Sequence, residues 1–455
     1  MNPWPIPLVQ SETAAMWWRA LTMQDYNTRV VAAGVALLGA ACGVVGAFMI
    51  LRRKALFGDA ISHATLPGVA LAFLMASALG IPGKQYPILL AGAVCTALLG
   101  MGVIAIIRRF TRLPEDAALG IVLSVFFGAG VVLLGVIQQM EGASAAGLES
   151  FIYGKTASML AEDGRRIAIC AAVLAALCAL LFKEFRLLCF DPDFARAQGW
   201  PVRGLDAAML GMAVAATVIG LQAAGLLLVV ALMIVPPAAA RFWTDDLRAM
   251  ALTAAAIGAG AGVLGALWSA MEPDWPAGAV IVLVAAAAFA LSFLFGRSRG
   301  VVYRLAAHAR LERRVDRLHL LRAFYEASER ERDEAALSAS DLARSGFVPP
   351  RRLARALRRL AREGALERLP DKRWRLTSAG RALAARVVRN HRLWEMYLIR
   401  HAAIAPTHAD RDADMIEHVL GREMVAELER DLEAADAAAA RLESPHPIAR
   451  VGERP

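Results

Sequence analysis

The chain has 455 residues, 58% of them hydrophobic, a mean hydropathy of +0.48 and a formal net charge of +9. It is too apolar for one soluble domain and too long for one core, so at least two parts are expected. Residues 297–455 hold 32 of the 50 Lys and Arg and 24 of the 41 Asp and Glu, which predicts a nearly neutral membrane part followed by a charged, soluble tail.

Residues 1–28 lack the basic start, compact apolar core and small-residue cleavage site of a signal peptide, and their Trp4, Trp17 and Trp18 suit a membrane interface. A transmembrane domain is expected over 29–300. Its spans are roughly 29–51, 58–80, 86–107, 115–138, 165–182, 205–222, 224–240, 249–271 and 277–296, about nine in all. The pair around Gln222 also reads as a single broken helix. Cys42, Cys95, Cys170, Cys178 and Cys189 lie in or beside these runs without C-x-x-C spacing and read as small core residues. Glycine- and alanine-rich runs such as AAAIGAGAGVLGAL (254–267) predict closely packed helices.

Arg52, Arg53, Lys54, Arg108, Arg109, Arg112, Lys183, Arg186, Arg196, Arg203, Arg241 and Arg248 fall in alternate loops. The opposite loops carry only Lys84, Lys155, Arg165 and Arg166. The basic loops are therefore expected inside, with the N-terminus outside and the tail in the cytoplasm. No G-x-x-x-x-G-K-[ST] occurs, so the chain is expected to bind no nucleotide and any ATP-driven work falls to another subunit.

The stretch LRRKALFGDAISHATLPGVALAF (51–73) places Asp59 and His63 inside a hydrophobic segment. Ionisable side chains are costly there. At i and i+4 of a helix the two share a face, and a carboxylate oxygen with an imidazole nitrogen suits zinc, manganese or iron. The alternative is an interfacial cap, with Asp59 on the helix dipole and Ser62 and His63 bonded to backbone. Glu115 and Asp116, after Pro114, read as a helix N-terminal charge pair.

This stretch resembles the signature of the permease subunits of ATP-binding-cassette importers for zinc, manganese and iron. LLCFDPDFARAQGWPVRGLD (187–206) resembles that family's cytoplasmic loop, and GLLLVVALMIVPPAAA (225–240) a third block. The resemblance implies that Asp59 and His63 line the metal path. It also implies that Asp191, Pro192, Asp193, Phe194, Ala195 and Arg196 form a coupling helix that docks on a cytoplasmic ATPase subunit. An extracytoplasmic metal-binding protein would deliver the cargo, and the permease would pair as a homodimer or with a related permease in a bacterial inner membrane.

In the tail, 301–375 reads as a linker helix and a winged helix-turn-helix. Helices are expected at 315–327, 338–346 and 348–364, then two short strands around a Pro370-Asp371 turn. Arg351, Arg352, Arg355, Arg358, Arg359 and Arg362 would lie on exposed faces of the third helix, with Leu353, Ala354, Leu357 and Leu360 inward. Such a stripe suits DNA phosphates, with a solvated face or an anionic-lipid contact as the alternatives, and tethering beneath a membrane weighs against DNA. Residues 376–440 read as a helical domain, and 441–455 as a flexible end.

Within 376–440, HRLWEMYL and DADMIEHVLG resemble motifs of the iron- and manganese-dependent repressors of the diphtheria toxin repressor type. The resemblance places His391 and Glu395 at ligand positions and Asp414, Glu417 and His418 on the central trio. The last three share one helix face by spacing alone. Where that family's first helix adds ligands, this chain has His319, which can bind a metal, and Arg322, which cannot. His308, His401, His408 and His446 read as surface or structural residues.

The expected protein is thus an all-α polytopic membrane protein with a winged helix-turn-helix and a helical metal-binding or dimerisation domain. It would be a metal-importer permease that hydrolyses nothing itself, with a tail that senses cytoplasmic metal. The competing reading is a membrane-anchored, metal-dependent DNA-binding regulator.

Overall fold

A backbone in lipid has to satisfy its own N–H and C=O groups, so the apolar runs form helices. The computed structural model describes residues 24–80, 85–140, 156, 159–271, 275–331, 335–344, 348–401 and 430. The chain divides into two units, Met1–Arg304 and Leu305–Pro455.

The first unit contains α1 (Tyr26–Leu51), α2 (Ala55–Ala78), α3 (Tyr86–Phe110), α4 (Glu115–Gln138), α5 (Ala161–Leu180), α6 (Phe182–Phe190), α7 (Pro192–Ala197), α8 (Val202–Ala240), α9 (Leu247–Met271) and α10 (Ala277–Phe295). Among the described residues, seven stretches are long and apolar enough to cross a bilayer alone. α5 with α6 makes an eighth, bent by 66°. The expected span at 224–240 is a shorter apolar helix forming the second half of α8. α8 breaks at Gly225, with φ 78° and ψ 164°, a conformation open to a residue without Cβ. The two segments around Gln222 are therefore one helical stretch with a single non-helical residue.

α1 packs most extensively on α9, and also on α8 and α5. The α1–α9 crossing is backbone against backbone. A methyl added to Gly39 would stand 2.4 Å from the carbonyl oxygen of Gly258, and one on Gly43 2.6 Å from that of Ala254. α2 crosses α3 in the same way, with Gly68 against the Gly92 carbonyl at 2.1 Å by the same measure. Small residues at these positions permit the close approach that packs helices in lipid. Around the crossings, Phe48, Met49, Ile61, Phe185, Leu188 and Leu232 are fully buried.

In the second unit α11 (Val301–Glu331), α12 (Ala339–Arg344) and α13 (Pro350–Arg362) precede β1 (Leu366–Arg368), β2 (Trp374–Leu376) and α14 (Ser378–His401). The strands are antiparallel, with Leu366 opposite Leu376 and Arg368 opposite Trp374, and Leu337 bridges to Trp374. Ser338 and Asp341 cap α12 reciprocally: the Asp341 N–H donates to Ser338 Oγ at 3.2 Å and the Ser338 N–H to Asp341 Oδ2 at 3.1 Å. Leu320, Leu321, Phe324, Leu353, Leu357 and Leu360 form the core with Trp374. One inward assignment is corrected. Ala354 is exposed, because the buried stripe at 353, 357 and 360 leaves position 354 on the outer flank.

Candidate functional site

α2 begins at a tight turn and carries Asp59 and His63 on one face. Their side chains meet, His63 Nε2 lying 3.4 Å from Asp59 Oδ1, and they keep 19% and 30% of their surface exposed for His63 and Asp59 respectively. The His63 ring stands edge-on to Phe127 of α4 at 4.9 Å. Its Nδ1 is buried with no hydrogen-bond partner among the described residues. Pro67 has no N–H, so the carbonyl of His63 is denied its usual helical donor at i+4. A carboxylate oxygen, an imidazole nitrogen and a peptide oxygen thus occur within one turn, a donor mixture suited to divalent transition metals.

The capping alternative is met in part, because Ser62 is bonded to backbone as that reading requires, whereas His63 turns to Asp59. Ser62 Oγ donates to the Gly58 carbonyl at 2.7 Å and Thr65 Oγ1 to the Ser62 carbonyl at 2.6 Å. Both are fully buried and return to their own helix, which leaves Asp59 and His63 as the polar groups with exposed surface on that face. α3 and α4 hold α2 in place, since a methyl on Gly130 of α4 would stand 2.8 Å from Leu66 Cγ. Glu115 pairs with Arg108 at 3.0 Å across the α3–α4 connection, in keeping with a charge at a helix start.

Pro192 opens α7, and the Asp191 side chain accepts from the Phe194 N–H at 2.9 Å, an N-cap. Arg196 pairs with Asp193 at 2.6 Å, Ala195 is buried, and Phe194 is half exposed. Phe190 and Trp200, which sequence reasoning did not single out, are also exposed, so three large apolar side chains cluster along this short stretch.

A second feature had no sequence signal. Arg52 donates to both carboxylate oxygens of Asp206 at 3.0 Å and to the Leu188 carbonyl at 3.1 Å, while Lys54 Nζ lies 3.3 Å from Asp206. With Arg52 and Asp206 standing 154 positions apart in the sequence, only the fold reveals the pair.

In the second unit, Arg351, Arg355, Arg358, Arg359 and Arg362 are exposed on α13. Arg352 is not, because it turns to Glu312 and to Asp316 of α11, the latter at 3.2 Å. Burial pushes the Asp316 carboxyl above its usual range, and the Arg352 guanidinium pulls against that shift. The Arg-rich faces and α11 enclose a cleft of about 920 Å³.

His319 is half buried on α11. His391 is buried on α14, and its Nδ1 faces Arg322 Nη1 at 3.3 Å. Within α11, Arg322 Nε donates to Glu326 at 2.5 Å, while Arg392 of α14 reaches Glu329 of α11 at 2.5 Å and so joins the two helices through an ion pair. Glu395 lies on α14 but its side chain is outside the described residues, as are Asp414, Glu417, His418, His408 and His446. Among the described residues no three His, Cys, Asp or Glu side chains group closely enough to hold a metal.

Comparison with known proteins adds three findings. Residues 23–296 match the ABC 3 transport family, and residues 377–440 match the iron dependent repressor metal binding and dimerisation domain. The chain is 38% identical over 392 residues to the manganese transport system membrane protein MntC of Bacillus subtilis, covering 86% of this chain and 88% of that protein. That length exceeds the first unit, so the likeness runs into the second. The zinc transport system membrane protein TroC of Treponema pallidum is 41% identical over 281 residues, or 62% of this chain and 93% of that protein. Among solved structures, PsaBC from Streptococcus pneumoniae in complex with Fab aligns with a TM-score of 0.54 and 30% identity, over 63% of this chain and 97% of the matched chain.

Proposed function

The chain belongs to the ABC 3 transport family and is a multi-pass permease subunit of a metal importer, not itself an enzyme, and we propose that its cargo passes Asp59 and His63. The cargo is manganese, zinc or iron, for which the two side chains supply one oxygen and one nitrogen donor. A pair of such permeases, two copies of this chain or one with a related subunit, would present two such faces. The observation that carries this reading is the Asp59–His63 contact at 3.4 Å with a buried His63 Nδ1 that has no hydrogen-bond partner among the described residues.

A separate ATPase subunit drives the cycle through α7, and an external metal-binding protein loads the outer face. The basic loops between spans lie in the cytoplasm, with the N-terminus outside and the second unit inside. Phe194, flanked by exposed Phe190 and Trp200, supports docking at α7. The winged helix-turn-helix of the second unit carries the Arg-rich α13 beneath anionic lipid. The following domain reports cytoplasmic metal through Asp414, Glu417 and His418, and feedback inhibition at metal sufficiency is its simplest use. Arg322 opposite His391 argues against a second metal there. A membrane-anchored DNA-binding regulator would leave Asp59, His63 and the exposed apolar residues around α7 without a task.

The test is manganese uptake by proteoliposomes holding the permease, its ATPase and its binding protein. Asp59→Ala and His63→Ala lower uptake at least about tenfold, the equivalent of one lost charged hydrogen bond or more. Normal uptake in stably inserted variants would remove Asp59 and His63 from the path.

A further inference from the structure

We propose that Asp206 is the positioning residue through which movement of α7 reaches the helix that carries Asp59 and His63. The proposal rests on the reading of α7 as the ATPase-docking segment.

Three covalent and non-covalent links converge on the start of α2. α7 is followed within a few residues by α8, whose first turns hold Asp206. Asp206 grips Arg52 through both carboxylate oxygens, a bidentate fork with fixed geometry, and Lys54 adds a second cation at 3.3 Å. Arg52 and Lys54 bracket Arg53, which takes a left-handed φ of 58° to turn α1 into α2. Arg52 also donates to the carbonyl of Leu188, near the end of α6, which precedes α7. Phe48 of α1 packs its ring on Phe182 and Phe185 of α6 at 6.0 and 5.4 Å. The segments on both sides of α7 are thus attached to the same three-residue turn and the end of α1 that leads into it.

The side chains are sheltered enough for the pairing to be stiff: 16% exposed for Arg52, 21% for Asp206 and 9% for Lys54. Partly buried charges are screened little by salt and resist separation. From Lys54 the helix advances about 1.5 Å per residue, so Asp59 lies about 7.5 Å further along the axis, under two turns away. A displacement at Asp206 therefore reaches the first donor across rigid helix. A cleft of about 920 Å³ is lined by Pro192 and Arg196 of α7 together with Arg52, Lys54, Arg108 and Glu115. The cleft gives α7 room to move, while the Arg52–Asp206 fork bridges its edge.

The experiment uses the permease–ATPase complex in proteoliposomes with its external binding protein, manganese(II) as the cargo, and uptake and ATP hydrolysis read from the same sample. Asp206→Asn, which keeps one acceptor oxygen and loses the charge, is expected to retain ATPase capture and to lower the manganese moved per ATP at least tenfold. Asp206→Glu restores the ratio. Only variants that elute as a single species are compared. The Arg52→Asp/Asp206→Arg exchange, expected to recover part of the ratio, serves if Asp206→Asn fails to fold. An unchanged ratio in Asp206→Asn, or uptake and hydrolysis falling in proportion, overturns the proposal. A Phe194→Ala variant separates the two readings: loss of ATPase capture supports docking at α7, and retained capture overturns that docking whatever Asp206→Asn does.

Discussion

His391 turns its Nδ1 toward the Nη1 of Arg322 at 3.3 Å, and both side chains are buried. A guanidinium only donates, so Nδ1 holds its lone pair against a fixed cation. Arg322→His replaces that cation with a second imidazole. The full-length variant is expected to bind one more manganese per chain than wild type, read by elemental analysis after dialysis. Unchanged stoichiometry would mean that something other than Arg322 keeps metal from His391.

Removing the partner has a separate cost. Arg322→Ala leaves the buried His391 Nδ1 without this donor and Glu326 without its guanidinium, about 1–3 kcal/mol for a buried group whose hydrogen bond is lost. The thermal transition assigned to the second unit should fall, while transitions sensitive to the first unit stay in place. A transition at the wild-type temperature would show the pair to be dispensable for stability.

The α2–α3 crossing offers a comparison with its own control. Gly68→Ala puts a methyl 2.1 Å from both the carbonyl oxygen of Gly92 and Thr96 Oγ1, and the carbonyl, being backbone, cannot turn aside, whereas Gly102 has nothing within 4 Å. Gly68→Ala should cost about 1–3 kcal/mol and lower the yield of monodisperse protein in detergent. Gly102→Ala should elute like wild type. Equal yields for both would rule out the tight crossing.

Asp316 gives the second unit a pH dependence of defined sign. Burial raises its folded pKa above the ordinary carboxylate value, despite the Arg352 guanidinium nearby. The folded state then holds the proton more firmly than the unfolded chain. This group's contribution to stability is largest below the unfolded pKa and is lost as pH rises through the folded one. In Asp316→Asn the part of the stability slope that belongs to this group, which begins as pH rises past the ordinary carboxylate range, disappears, as measured by denaturant titration at several pH values. An unaltered slope would assign it elsewhere.

Much of the fold was legible because its causes are local. Apolar runs of span length, the capping pair Ser338 and Asp341, and Gly364 at the end of α13 each act within a few residues, and the helices and strands expected from them over 301–375 are present. Asp59 and His63 were legible because i, i+4 spacing on a helix fixes their proximity. Arg52 with Asp206 was not, since no periodicity links residues 154 apart. Arg352 shows the same limit in reverse. Its place in an arginine stripe predicted an outward side chain, but two carboxylates of α11 that no pattern on α13 announces draw it in. Ala354 missed its predicted burial because a small apolar residue carries little information about which flank of a stripe it occupies.

Met233 of α8 touches two neighbours by different means. Its carbonyl oxygen would stand 2.0 Å from a methyl on Gly46 of α1, whereas α2 meets its thioether, 2.8 Å from a methyl on Gly58. Peptide pressed against peptide has no give, so α1 is seated on α8 like a plank on a joist. The sulfur arm is unbranched and soft and can change shape while staying in contact. Any rocking that opens one mouth of the passage and shuts the other would find its bearing surface here, one residue before Asp59, with the lubricant built into a single side chain.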